Sequence, residues 1–260
     1  MDLKKLRKDI DRLDKKIVGL LNARARITLD VAREKQKSGV SIYVPERERE
    51  VLQRCAGENR GPLTKSALES IYREIMSSSL ALEKPLKIAY LGPQATFTHL
   101  AALKRFGSQV SYVACENIAD VFREVEREAA DYGVVPIENS VEGAVSHTLD
   151  MFVDSDLKIC AQIILDVAHN LLANCPRNKI KRVYSISQVF GQCRLWLQEN
   201  LRGVEAIEVS STTRAAQIAS KEKTSAAIAS LLAARVYKLK VLAKDIEDSP
   251  HNITRFLVVG

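Results

Sequence analysis

Leu3, Leu6, Ile10, Leu13, Ile17 and Leu20 recur at alternating steps of three and four residues. That spacing draws one apolar stripe down an α-helix. The pattern continues through Ile27 and Val31 to Lys35 without a proline. It predicts a single helix of about 35 residues, longer than a compact domain can usually cover. A break follows at "SGVSIYVPE", with Gly39 and Pro45. A second helix is expected from about Glu46, with Pro45 suited to its first turn. "GENRGP" ends it, and Thr64 opens a third helix running to about Glu83. Residues 1–84 contain no Phe or Trp. Three such helices cannot bury their apolar faces alone, so this region is expected to form a homodimer through the N-terminal helices.

The texture changes at Pro85. "LKIAYLG", "QVSYVAC", "ADYGVVPIENS", "LKICAQIIL", "RVYSIS", "VEAIEVSS", "SAAIAS" and "TRFLVVG" read as strands. "IADVFREVERE", "GQCRLWLQENL" and "TRAAQIASKE" read as helices between them, with another from Thr98. The alternation predicts an α/β domain with a mainly parallel sheet, and there are strands enough for two lobes. Ligands in such folds bind at strand C-terminal ends or between lobes.

Charge separates the two regions. There are 19 basic and 13 acidic residues through Lys84, against 20 and 19 after it. A basic helical segment suits nucleic acid or a small dianion. No aromatic platform accompanies the cations, which disfavours nucleic acid. Arg24 and Lys35 are eleven residues apart, about three turns, and share a helix face within ~20°. Arg7 falls about 100° away, so it does not join that face within one subunit. Read singly, these charges also suit a solvated helix with i,i+4 pairs.

The five cysteines show no C-x-x-C, and the four histidines show no metal-ligand spacing. A disulfide framework and a metal site are not expected. No apolar run approaches the ~20 residues of a membrane span. The charged N-terminus carries no secretory signal, so the cytosol is the expected compartment.

"LRKDIDRLD", "LLNARARITLDVAREK", "PERERE" and "SSSLALE" together resemble the all-α chorismate mutases over residues 1–84. "YLGPQATFTH", "DYGVVPIENSVEGAV", "SSTTRAA" and "HNITRF" resemble prephenate dehydratase over residues 85–260. The whole chain resembles the bifunctional chorismate mutase–prephenate dehydratase family. The resemblance implies a three-helix domain followed by a two-lobed α/β domain like that of periplasmic binding proteins. It implies chorismate and prephenate as substrates, and no cofactor, nucleic acid or membrane partner. In the mutase half Arg24, Lys35 and Arg47 would hold the substrate anions, with Arg7 added from the partner subunit. Glu48 would take the ring hydroxyl. Ser79 and Glu83 would complete the wall.

In the dehydratase half the resemblance makes Thr254 the hydrogen-bonding acid for the leaving hydroxyl. Arg255 would take the retained carboxylate or order the site, and both residues are expected to face the ligand. Glu138, Asn139, Ser140, Ser211, Thr212 and Phe256 form the implied substrate-binding set. Ser211 and Thr212 also suit the cap of a helix near Arg214. Phe97 and Phe256 read as core rings, and His99 as a satisfied structural histidine. The chain departs from the family pattern in four places: Val44 for Asp, Glu83 for Gln, Ile186-Ser187 for His-Pro, and Ala95 for Gly. A carboxylate at Glu83 would repel the ether oxygen, so Glu83 is expected to act protonated. The family usually carries an ACT regulatory domain after the dehydratase, which implies no phenylalanine inhibition for a chain ending at Gly260. An arogenate-preferring dehydratase and a non-catalytic binding module are the alternative readings.

Overall fold

The computed structural model describes residues 2–38, 43–141, 143–249 and 251–260. Gly39, named above in the helix break, lies outside them. By contact the chain forms two units. Unit 1 holds the residues through Leu86 together with Phe106–Ser111. Unit 2 holds Lys87–Arg105 and Tyr112–Gly260.

Unit 1 is built on α1 (Leu3–Ser38), α2 (Pro45–Glu58) and α3 (Lys65–Glu83). Pro45 starts α2, where its missing N–H and fixed φ cost nothing. Thr64 caps α3 by accepting from Ala67 N at 3.2 Å. The core is thin: Ala32, Val51, Met76 and Leu80 are buried between the helices. The stripe that predicted α1 stays largely uncovered, with Ile10, Leu13, Ile17 and Leu20 each 52–71% exposed. Phe106–Ser111 docks on α3 and on Tyr43, two residues ahead of α2. The Phe106 ring lies 4.9 Å from Tyr43. Ser108 Oγ donates to Glu74 Oε2 at 2.6 Å, and Gln109 N to Ser77 Oγ at 3.1 Å. Gly107 between them has φ +74°, and an added Cβ would sit 2.5 Å from Ser77 Cβ.

Unit 2 starts with β1 (Lys87–Leu91), α4 (Phe97–Phe106), β2 (Ser111–Cys115), α5 (Ile118–Glu126), β3 (Tyr132–Asn139), β4 (Gly143–Ala144), α6 (Ser146–Asp154) and β5 (Ile159–Asp166). The second lobe follows with β6 (Asn170–Ala173), β7 (Arg182–Ser185), α7 (Ser187–Gln192), α8 (Arg194–Asn200), β8 (Glu205–Glu208), α9 (Thr212–Ala219), β9 (Ser225–Ala229), α10 (Leu231–Val236) and β10 (Lys240–Ala243). The chain then returns as β11 (Ile253–Val259). The first sheet runs β2-β1-β3-β11-β5, with β4 on β3, and the second runs β10-β6-β9-β7-β8.

The sheets are mixed, which corrects the expectation of a mainly parallel one. β1 with β3 and β7 with β8 and β9 are parallel. β11 is antiparallel to both β3 and β5, and β6 is antiparallel to β9 and β10. Two of the antiparallel strands lie beside crossings between lobes, β6 after the outward crossing and β11 after the return, and short β4 folds back antiparallel on β3. β9, "SAAIA", is buried along its whole length, as a central strand covered on both faces must be. The helix read from "GQCRLWLQENL" is two. α7 ends at Gln192, and the Asp248 carboxylate caps α8 by accepting from Leu195 N and Trp196 N at 3.0 and 3.3 Å.

Among the described residues no helix is long and apolar enough to cross a membrane. Among them too, no three metal-ligating side chains cluster.

Two candidate active sites

The first pocket lies within unit 1. α1 supplies Arg24 and Lys35, α2 supplies Arg47 and Glu48 from its first turn, and α3 supplies Ser79 and Glu83. Eleven residues of helix bring Arg24 and Lys35 to one face, and four bring Ser79 and Glu83 to one face. Arg24 Nη1 donates to Ser79 Oγ. Lys35 Nζ donates to Glu83 Oε2 at 3.0 Å, with the Glu83 side chain only 9% exposed. Arg47 pairs with Glu50 at 2.9 Å on the outer side. Val31, Val51, Met76 and Leu80 form the apolar wall, and Val44 closes one edge. Arg7 is exposed and does not line this pocket. Seventeen residues of helix put it about 25 Å from Arg24.

The second site is the cleft between the two sheets of unit 2, with a volume of about 350 Å³. That is the size of a small-molecule site. Thr254 and Phe256 project into it from β11, Asn139 from the end of β3, and Ser211 and Thr212 from the start of α9. Asn139 Nδ2 donates to Thr254 Oγ1 at 2.8 Å. Ser211 Oγ caps α9 by accepting from Arg214 N at 3.0 Å. Phe256 is buried yet forms part of the cleft wall, and Phe97 lines it with its ring edge-on to His169 at 5.8 Å. Ile186, where the family pattern has His, also faces the cleft. No Lys or Arg lies among the described residues that line it.

Arg255 is not brought to the cleft. Successive side chains on a strand point to opposite faces, so with Thr254 inward Arg255 points outward. There it meets Glu138 Oε2 at 3.4 Å, both side chains half exposed. Glu138 is on that outer face for the same reason. Ser140 is used in the scaffold: its Oγ donates to His251 O at 2.8 Å and accepts from Ile253 N at 2.9 Å.

His99 stacks on Tyr90 at 4.5 Å, and its Nδ1 accepts from Ala95 N at 3.1 Å. Burial lowers its pKa and pushes the Tyr90 hydroxyl up to about 12. Ala95 itself sits at φ 71°, a conformation that glycine adopts without strain.

The cleft residues that the sequence did not single out include His169, Gln192 and Asn252. The only signal was polarity inside apolar surroundings, as in "LDVAHNLLA".

The chorismate mutase type II family model matches residues 6–84, and the prephenate dehydratase model matches residues 88–260. The bifunctional chorismate mutase/prephenate dehydratase of Aquifex aeolicus is 48% identical over 100% of this chain and 73% of its own length. That of Pseudomonas aeruginosa is 47% identical over 99% of this chain and 73% of its own. The crystal structure of prephenate dehydratase in complex with L-Phe from Arthrobacter aurescens is 34% identical. It superposes with a TM-score of 0.62, covering 67% of this chain and 60% of that one. With both halves matched in order along one polypeptide, the chain belongs to the bifunctional chorismate mutase/prephenate dehydratase family.

Proposed function

We propose that residues 1–84 rearrange chorismate to prephenate and residues 85–260 convert prephenate to phenylpyruvate, the paired activities of phenylalanine biosynthesis. The observation that carries this reading is a contrast of charge. One pocket gathers Arg24, Lys35 and Arg47, while the cleft has the hydroxyl–amide pair of Thr254 and Asn139 and no Lys or Arg among its described lining residues.

The first reaction is pericyclic and needs no nucleophile and no cofactor. The site must hold a compact conformer of a dianion and stabilise charge on the breaking ether oxygen. Arg24, Lys35 and Arg47 are assigned to the carboxylates and the ether oxygen, Glu48 to the ring hydroxyl, and Ser79 to orienting Arg24. Glu83 faces the ether oxygen in its protonated form.

In the second reaction the ring carboxylate leaves as CO2 and its bonding electrons aromatise the ring. The ring hydroxyl departs as water, hydrogen-bonded by Thr254 as it leaves, with its proton relayed from solvent through that hydroxyl. A cation on the departing carboxylate would stabilise the ground state and oppose reaction, so the lack of Lys and Arg among the described lining residues suits the chemistry. The retained pyruvyl carboxylate suits the amides at the α9 N-terminus beside Ser211 and Thr212. Arg255 and Glu138 order the strand ends from the outer face.

The uncovered stripe on α1 supports a homodimer with the long helices packed together. Arg7 of the partner subunit then closes the mutase pocket. The cytosol is the assigned compartment. Incubation with chorismate tests the proposal. Both prephenate and phenylpyruvate should appear in sequence, and a protein that makes neither would overturn it.

A further inference from the structure

Thr254 ends a hydrogen-bonded line of side chains along the cleft. Asn139 Nδ2 donates to Thr254 Oγ1 at 2.8 Å and to Asn252 Oδ1 at 2.9 Å. Asn252 Nδ2 donates to Gln192 Oε1 at 3.1 Å. Gln192 Oε1 also lies 2.7 Å from His169 Nε2. His169 is buried, and its own backbone N–H is held by Glu247 at 2.8 Å.

The line has a direction. A side-chain amide fits equally well either way round unless a neighbour distinguishes its oxygen from its nitrogen. The backbone N–H of Val141 can only donate, and it meets Asn139 Oδ1 at 2.9 Å. That commits the Asn139 oxygen, so Nδ2 faces Thr254 and Asn252. Asn252 then accepts with Oδ1 and donates with Nδ2, and Gln192 accepts with Oε1. An oxygen at that place requires N–H from the imidazole, so His169 is the Nε2–H tautomer. At one end the Thr254 oxygen already accepts a proton, which leaves its own O–H to donate elsewhere. At the other end Gln192 Nε2 makes no hydrogen bond among the described residues, and Gln192 lines the cleft.

We infer that His169 and Asn252 are positioning residues of the dehydratase. They hold the Gln192 amide with its oxygen toward them and its NH2 toward a substrate carboxylate, in the polarity that also presents the Thr254 hydroxyl as a donor. Neither acts on the reacting atoms directly. The inference rests on the dehydratase reading of the cleft.

The test uses the full chain, with circular dichroism and the thermal unfolding of the α/β unit as the measure of folding. His169→Gln keeps an N–H near the Nε2 position, and His169→Leu fills the space without one. Losing one hydrogen bond to a charged group through a misoriented Gln192 should raise KM for prephenate about tenfold in His169→Leu. His169→Gln should recover most of it. Pure packing demands the reverse order, because Leu suits an apolar gap better than Gln. Nitrogen NMR of the wild-type chain should show a proton on His169 Nε2. A Leu variant as good as or better than the Gln variant, or an Nε2 without a proton, overturns the inference. Full dehydratase activity in Thr254→Val would instead overturn the reading of the cleft beneath it.

Discussion

Lys35 Nζ and Glu83 Oε2 stand 3.0 Å apart across the pocket between α1 and α3. The pocket thus pairs the cation assigned to substrate with its own carboxylate. A bound dianion has to displace that partner, and Glu83 then faces an ether oxygen that needs a donor. A carboxylate offers only lone pairs there, while its acid form offers an O–H.

Glu83→Gln, which offers an N–H where the carboxylate offers only lone pairs, is therefore expected to turn chorismate over faster than wild type at pH 7. Initial rates of chorismate loss check this. A variant no faster than wild type would remove donation from residue 83 from the mechanism.

Thr254→Val removes the hydroxyl and keeps the shape. Dehydratase kcat should fall by roughly 10²–10⁴, the usual worth of a positioned acid. Thr254→Ser should stay within about tenfold. Prephenate should accumulate from chorismate in the Val variant, because the mutase pocket is untouched.

The α1 stripe predicts a dimer in sedimentation. Ile17→Asp should dissociate it and abolish mutase turnover while dehydratase activity persists. Mixing Arg7→Ala with Arg24→Ala, each inactive alone, should restore roughly a quarter of the mutase sites once subunits exchange, as a shared two-fold site requires. No recovery after exchange would mean that Arg7 serves its own subunit or none.

Gly107→Ala places a methyl 2.5 Å from Ser77 Cβ at a left-handed backbone position. Strain of this kind costs ~1–3 kcal/mol, before any clash. Thermal unfolding should show a clear loss. An unchanged midpoint would show that the 106–111 segment yields without cost.

Much of this was legible in advance, for local reasons. The period of Leu3 to Leu20 is a property of neighbours on one helix, and so are the shared faces of Arg24 with Lys35 and Ser79 with Glu83. Thr254 came from a motif. Arg255 was misplaced because motif adjacency was read as shared direction, whereas a strand sends adjacent side chains to opposite faces. The mixed sheets were hidden because strand direction follows from where the chain crosses between lobes. The line from Thr254 to His169 was hidden more deeply. Its members are 113 residues apart at one step and 60 at another, and its polarity comes from a backbone N–H that any residue at 141 except proline would supply.

The six residues from Phe106 to Ser111 bear on how such an enzyme can be inherited. Grafting a foreign helical module onto this chain at residue 86 would leave Ser108 and Gln109 without the Glu74 and Ser77 they grip. The donor module would arrive complete in sequence and incomplete in fit. Exchange between lineages is thereby handicapped at the place that looks easiest to cut, and matched pairs of halves are favoured over mosaics.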